Sequence, residues 1–440
     1  MKVIVTGGGL AGSEAAIYLA NQGFNVDLYE MRPKKSTGAH KTSSLAEIVC
    51  SNSLGSNDPE SASGLLKAEL RLLGSELIKV ADESSVPAGN ALAVDRELFS
   101  AKITEIIENH PNINLIREEL REIPTNQPVI IASGPLTSEA LSRSIKNLTG
   151  SDHLYFYDAI APIIEKDSIN FEIAFTANRY DKGEPSYINC PMNEYEYENF
   201  YNILINSPTI ELKEFEKGAK FFESCMPVEV MAKRGKDTLR FGPMKPVGFT
   251  DHRTGKQPFA LVQLRQDNSA ASLYNIVGFQ TNLKWGAQNE LVQSIPGLEN
   301  ANIVRYGVMH RNTFINSPML LEPSLKLKSN PAIFLAGQIT GVEGYTESIA
   351  TGLLAAINMG LSLKNKTLFV PEPLTMLGAL VNYISCEDHK HFQPINSNWG
   401  IISKPQLDKK ILKNKKLKNK LLAENSLTYL KSLIIEKALC

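Results

Sequence analysis

Gly7-Gly8-Gly9-Leu10-Ala11-Gly12 follows directly on a short apolar run, Lys2–Thr6. The residues after it carry Ala15, Ala16, Leu19 and Ala20 at helical spacing, and Gly23 stands where such a helix would end. A second apolar run occupies residues 26–30 and closes on Glu30, eighteen residues after Gly12. Strand, glycine-rich turn, helix, strand and terminal acid together make the dinucleotide-binding βαβ unit. Taken alone, a glycine-rich hexamer is only a tight strand-to-helix turn, and it is this context that sharpens the reading. Gly7 permits the turn, Gly9 lets the backbone approach a pyrophosphate, and Gly12 lets helix and strand pack closely. Gly8, Leu10 and Ala11 complete a helix N-terminus whose N–H groups face the phosphates. Glu30 is placed to accept hydrogen bonds from a ribose.

A second junction of the same kind lies some 330 residues downstream. An apolar run at 332–336 enters Gly337-Gln338-Ile339-Thr340-Gly341-Val342-Glu343-Gly344-Tyr345, and a helix rich in small residues is expected over 347–359. Paired with the first junction, it favours FAD over a nicotinamide cofactor, with Gly337, Gln338, Gly341, Gly344, Tyr345 and Gly352 as candidate contacts. No second GxGxxG is present, so a nicotinamide reductant is expected to visit the flavin site transiently.

Between the junctions, helices are expected near 64–74 and over 95–108, and a buried strand over 129–133. Residues 171–177 alternate, and 199–301 reads as a separate unit rich in Lys and Arg. The expected fold is α/β: a Rossmann-type FAD-binding domain split in sequence, with an inserted smaller α+β domain. Its parts are 1–198, the insertion 199–301, and 302–440, which ends in a helical tail. Residues 407–422 carry seven lysines and one aspartate, a run that reads first as a solvated helix.

With 440 residues, the chain can bury a large core without metals or disulfides. Its 46 basic and 47 acidic side chains leave a formal charge of -1, so any nucleic-acid contact must come from local basic faces. The cysteines (Cys50, Cys190, Cys225, Cys386 and Cys440) are odd in number and form no CxxC pair. That disfavours a disulfide framework, a zinc ribbon and a dithiol redox motif, and no metal site is expected. The first residues enter a strand at once, and no apolar run approaches the ~20 residues of a membrane span. A soluble cytoplasmic protein, without membrane contact, is expected.

Five stretches carry a resemblance to a known family. Gly7–Gly12 with Ser13-Glu14-Ala15 resembles the N-terminus of the flavin-dependent tRNA-modifying proteins. Glu47-Ile48-Val49-Cys50-Ser51-Asn52-Ser53-Leu54 looks like the cysteine motif of one branch, TrmFO, the folate- and FAD-dependent tRNA (uracil-5-)-methyltransferases. Phe222-Glu223-Ser224-Cys225-Met226-Pro227-Val228-Glu229 and Leu239-Arg240-Phe241-Gly242-Pro243-Met244-Lys245-Pro246-Val247-Gly248 match the same branch, as do residues 337–352. The resemblance covers residues 1 to about 400 and implies methylation of carbon 5 of a uridine in the tRNA T-loop. The carbon comes from 5,10-methylenetetrahydrofolate, FAD is the cofactor and NAD(P)H the reductant.

Such chemistry needs a thiolate to add to carbon 6 of uracil and a base to remove the proton from carbon 5. The resemblance implies Cys225 as the nucleophile and Cys50 as the second thiol, removing the proton or guarding the flavin intermediate. Lys233, Arg234 and Arg240 are candidate cationic neighbours that would favour a thiolate. His310 and Arg311 are candidates for the folate, His310 by stacking on the pterin. Lys233, Arg234, Arg240 and Lys245 are candidates for RNA phosphates. The lysines of the tail (Lys409, Lys410, Lys413, Lys415, Lys416, Lys418 and Lys420) are secondary candidates. The same motifs accommodate methylation of a 23S rRNA uridine. A plain NAD(P)H–flavin oxidoreductase, disfavoured by the absence of a nicotinamide fingerprint and of a dithiol pair, and a non-catalytic RNA-binding flavoprotein are the other readings.

Overall fold

Lys2–Thr6 sits inside a six-stranded sheet whose order is Lys326–Leu327, Asn330–Leu335, Val129–Ile131, Lys2–Thr6, Asn25–Tyr29, Ile113–Ile116. All neighbours are parallel except the edge strand Lys326–Leu327. The sequence alternation explains how both faces are filled. Val3, Val5 and Ile130 point into one core with Leu19, Leu353 and Ala356. Ile4, Val129 and Ile131 point into the other with Leu141, Ile145 and Leu335. The computed structural model describes residues 2–151, 153–159, 161–181, 185–210, 226–307, 309–385, 392–403 and 414–437.

The helices Leu10–Asn21 and Tyr345–Leu363 pack together on the first of these faces. Small residues make the crossing close: a Cβ on Gly352 would fall 2.3 Å from the Ala11 carbonyl oxygen. Gly12 is tighter still, since a Cβ there would lie 1.8 Å from the Gly7 carbonyl oxygen. The strands flanking Lys2–Thr6 are reached by connections leaving in opposite directions. Their carboxyl ends therefore open a crevice at the switch point, where ligands of such sheets bind.

A second core surrounds an antiparallel sheet of order Phe175–Thr176, Tyr187–Met192, Ala260–Gln266, Leu273–Ile276, Ile163–Glu165, Ile303–Arg305. Ile188, Cys190, Val262 and Leu264 of this sheet pack with Phe200 and Leu204 of helix Glu194–Asn206 and Leu291 of helix Trp285–Gln293. Its strands begin at Ile163, upstream of residue 199, and end at Arg305. Flanking it, Leu154–Ala159 and Met309–Phe314 pair antiparallel, so the outgoing and returning chains form one ribbon. Cys190 is fully buried, and burial pushes its thiol far up, as befits a small core residue.

Local sequence signals place most boundaries. The helix expected over 95–108 runs Arg96–Asn109, with Asp95 as its cap accepting from the N–H groups of Glu97 and Leu98 at 3.1 and 3.0 Å. Ser61 caps Ala62–Leu72 in the same way. In 171–177 only Phe175–Thr176 is strand, because Ala174 turns back to bond the Asn170 carbonyl. In the tail, Lys415–Glu436 is helical, burying Leu422, Leu430 and Ile434 and exposing Lys415, Lys416 and Lys420. Lys409, Lys410 and Lys413, like Cys386 and Cys440, lie outside the described residues. Among the described residues no helix is long and apolar enough to cross a membrane.

Glu69 ties three helices together from a fully buried position. Its carboxylate accepts from Met376 N at 2.7 Å and Leu377 N at 2.8 Å, at the start of helix Met376–Ser385, and from Ser426 Oγ at 2.6 Å on the C-terminal helix. Burial nonetheless pushes its carboxyl up to about 7, against the lowering effect of those bonds. The folded value exceeds the unfolded one, so the native state holds the extra proton between about pH 4.5 and 7 and stability falls as pH rises through that window. Urea unfolding at about pH 5 and pH 8 should show a smaller loss of stability in Glu69→Gln than in the wild type. An equal loss in both proteins would remove Glu69 from the pH dependence.

Candidate active site

The crevice at the switch point is a cavity lined by Gly7, Gly9, Leu10, Ala11, Glu30 and Arg32 at one end and by Gly337, Gln338 and Tyr345 at the other. Helix Leu10–Asn21 has no side-chain cap and no acidic residue in its first turn, so its N–H groups remain for a ligand. Nothing lies within 4 Å of where a Gly9 Cβ would be, whereas Gly7 backs onto Ala132. That leaves a cradle open on one side and close-packed on the other, a shape that would admit a pyrophosphate. Glu30 lies beneath it: Oε2 accepts from Gly8 N at 2.9 Å, and Oε1 accepts from Arg32 N and Nε at 2.9 and 3.0 Å. Burial works to raise the Glu30 carboxyl, but Arg32 outweighs it and holds it below its usual range. A buried, ionised acceptor at this depth suits ribose hydroxyls. The donor set and the open cradle fit a dinucleotide.

Arg32 also donates from Nη1 to Glu47 at 2.8 Å, and Glu47 accepts from Lys41 N and Thr42 N at 2.8 and 3.2 Å. Beside them His40 lines the same cavity and shares a hydrogen bond of 2.6 Å with Thr37 Oγ1. Burial, reinforced by the Arg32 charge, pushes the His40 imidazole down to about 4.

The second glycine-rich segment meets the first. Gly337 (φ +79°) lies against Ala11, where a Cβ would come 2.9 Å from that of Ala11, and its N–H donates to Thr351 Oγ1 at 2.9 Å. Gly344 opens helix Tyr345–Leu363 at φ +121°. Gly352 and Gly341 serve packing: Gly352 against Ala11, and Gly341 against the Phe392 ring.

A neighbouring cavity is lined by Cys50, Ser53, Arg265, Asn312, Gly344 and Glu347, and shares Val49, Pro135, Leu136, Gln338 and Tyr345 with the first. The Cys50 loop thus stands at the far end of one continuous crevice. Tyr345 OH accepts from Cys50 N at 2.7 Å. Arg96 donates to the carbonyls of Ile48 (2.9 Å) and Cys50 (2.6 Å), and Arg305 to that of Val49 (2.7 Å). Arg265 bonds Asn52 Oδ1 at 3.0 Å and the Ser51 hydroxyl. Opposite, Lys67 is buried with Nζ on Leu54 O (2.7 Å) and Ser63 Oγ (2.8 Å), and burial brings its ammonium down to about 8.

Not all expected residues meet here. Cys225 lies outside the described residues. His310 and Arg311 lie on Met309–Phe314, paired with Asp158 and Tyr157, and Asn312 of the same strand reaches the Cys50 cavity. Lys233 and Lys245 are exposed. Arg240 turns inward over the Phe259 ring, 3.5 Å from its centroid, and bonds Asp237 at 2.6 Å. Arg234 lines a groove with Met226, Thr238 and Phe241 that shares Asn396 with the Cys50 cavity. Among the described residues, Arg96, Arg265 and Arg305 hold the Cys50 loop. Nothing local marks Arg96 or Arg305, because only the packing of the second sheet on the first domain brings them in.

The family model described as glucose inhibited division protein A matches residues 2–367. The chain belongs to this family. Within it, the chain is 58% identical over 427 residues to a protein of Anoxybacillus flavithermus, covering 97% of this chain and 98% of that one. It is 57% identical over 430 residues to one of Halalkalibacterium halodurans, covering 98% of each. Both are named methylenetetrahydrofolate--tRNA-(uracil-5-)-methyltransferase TrmFO, and the chain falls in that branch of the glucose inhibited division protein A family. Two crystal forms of Aquifex aeolicus GidA share the family fold at 17% identity. Their TM-scores are 0.70 and 0.69, covering 100% and 99% of this chain and 74% and 78% of those.

In this family member His40 should stay neutral at physiological pH. Its folded value lies below the unfolded one of about 6.5, so the unfolded state binds the proton more readily as pH falls from 6.5 toward 4 and stability drops. The His40 ring signal in NMR should not titrate between about pH 5.5 and 8, and His40→Gln should flatten that acid-side loss. A midpoint near 6.5 would overturn this.

Proposed function

We propose that this protein methylates carbon 5 of a tRNA uridine, in the T-loop, with carbon from 5,10-methylenetetrahydrofolate, FAD as cofactor and NAD(P)H as reductant. The observation that carries the reading is identity of 56–58% over nearly the whole chain to proteins named methylenetetrahydrofolate--tRNA-(uracil-5-)-methyltransferase. The crevice supports it: a dinucleotide cradle runs from Glu30 to Tyr345 and ends at Cys50. Gly7–Gly12 with Glu30 would hold the adenosine and pyrophosphate, and Gly337, Gln338 and Tyr345 the other end. Bound FAD would supply the reducing equivalents that turn a transferred methylene carbon into a methyl group.

The chain's own side chains supply the rest. The Cys225 thiolate adds to carbon 6 of the base, so that carbon 5 becomes nucleophilic. Once the carbon is transferred, the proton on carbon 5 leaves to a base and the carbon–sulfur bond breaks. Cys50 is the second thiol and, as its thiolate, takes that proton. His310 and Arg311 serve the folate, and Asn312 beside them reaches the cavity. The base must leave its stack to enter. The groove of Met226, Arg234 and Phe241 is the approach for RNA, with Lys233 and Lys245 exposed nearby. We assign this RNA face to the second core, over about residues 161–306.

The test supplies purified protein with FAD, NADPH or NADH and labelled methylenetetrahydrofolate, and offers a tRNA transcript or a 23S rRNA fragment. Label should appear at a T-loop uridine. Cys225→Ala should abolish it and Cys50→Ala should lower it at least about 100-fold, both with flavin still bound. Label in the rRNA alone would change the substrate, and no label in either RNA would sink the proposal.

A further inference from the structure

Three successive carbonyls of the Cys50 loop are held by arginines. Arg96 grips Ile48 O and Cys50 O, and Arg305 grips Val49 O. Arg96 comes from the first turn of helix Arg96–Asn109, but it is aimed from the second sheet. Asp267, next to the end of strand Ala260–Gln266, holds it side-on, with Nε–Oδ2 at 2.9 Å and Nη2–Oδ1 at 3.0 Å. One edge of the fork meets the carboxylate, while Nη1 reaches the Ile48 carbonyl and Nη2 also reaches that of Cys50. Arg96 and Asp267 side chains are 11% and 4% exposed, so water screens their charges little.

We infer that Arg96 and Asp267 are a positioning pair that sets the nucleophilicity of the Cys50 sulfur. The guanidinium bonded to the Cys50 carbonyl lies close enough to Cys50 for the two groups to act on each other electrostatically. Its charge stabilises a thiolate there, and the Asp267 carboxylate opposes it from behind. Other charged or titratable groups facing Cys50 are Arg265, Glu343 and Glu347 along the cavity, Lys67 on the Leu54 carbonyl, Arg305 beneath the loop and Tyr345 on its N–H. Arg96 and Arg265 both couple electrostatically to Cys50. Arg96 combines that charge with a direct bond to the Cys50 backbone and a carboxylate that orients it. The thiol's reactivity therefore depends on the docking of the second sheet on the first domain.

This rests on the reading of Cys50 as a reacting thiol, but its test needs neither RNA nor folate. Full-length protein is alkylated with iodoacetamide across about pH 6–10, and the Cys50 peptide is quantified by mass spectrometry. Arg96→Gln should raise the Cys50 midpoint by about one pH unit. Asp267→Asn should lower it, and Arg96→Lys should fall between wild type and Arg96→Gln. A merely structural role would loosen the loop in both Arg96→Gln and Asp267→Asn and move the midpoints the same way. Movement in one direction, or none, would overturn the inference. Should Arg96→Gln not fold, Asp267→Asn decides: a fall supports the pair, and a rise or no change overturns it. A failed methylation assay alongside these shifts would count against the reaction, not the pair.

Discussion

The contact between Ala11 and the Gly337 and Gly352 backbone is the constraint on which the rest of the site depends. It lets two helices that begin some 330 residues apart cross with their N-termini in one crevice. Both start at the carboxyl edge of the parallel sheet, where the helix N-termini and their dipoles face the same space. A methyl group at Gly352 would collide with the Ala11 carbonyl, so glycine there serves the crossing. Gly9 is the opposite case, a glycine whose missing side chain leaves room for a ligand.

Around that crossing, buried carboxylates act as fasteners between segments remote in sequence. Glu69 joins helices near residues 70, 376 and 426, and Glu14 accepts from Ser75 Oγ and Leu77 N at 3.0 and 2.9 Å. Each sits at a helix start, where N–H groups and the dipole offset much of the desolvation of the charge. Glu30 does the same work at the cradle and keeps its charge because Arg32 lies against it.

The Cys50 loop belongs to neither core alone. Its amide is held by Tyr345, its carbonyls by Arg96 and Arg305, and its polar side chains by Arg265. A loop tied on so many sides loses little further freedom when a reaction demands one geometry. The fastening also means that a change in the second sheet reaches a thiol at the end of the cofactor crevice.

Much of this was legible from residues alone. Strand, glycine turn, helix and Glu30 lie within thirty residues, and their geometry follows from local sterics, so the first half of the cradle could be read directly. The second glycine junction was legible for the same reason, and the cysteine motif marked Cys50 by resemblance. The arginines around Cys50 were not legible. Arg96 lies at the start of an ordinary capped helix, Arg305 on a short strand, and Arg265 reads as one more charge in a basic stretch. By itself, then, the sequence determined the dinucleotide fold and the branch of the family. Tertiary structure alone decided which cations hold the Cys50 loop and how closely Gly341 and Gly352 approach their neighbours. Those choices depend on pairings between strands more than a hundred residues apart, and no local pattern encodes such a pairing.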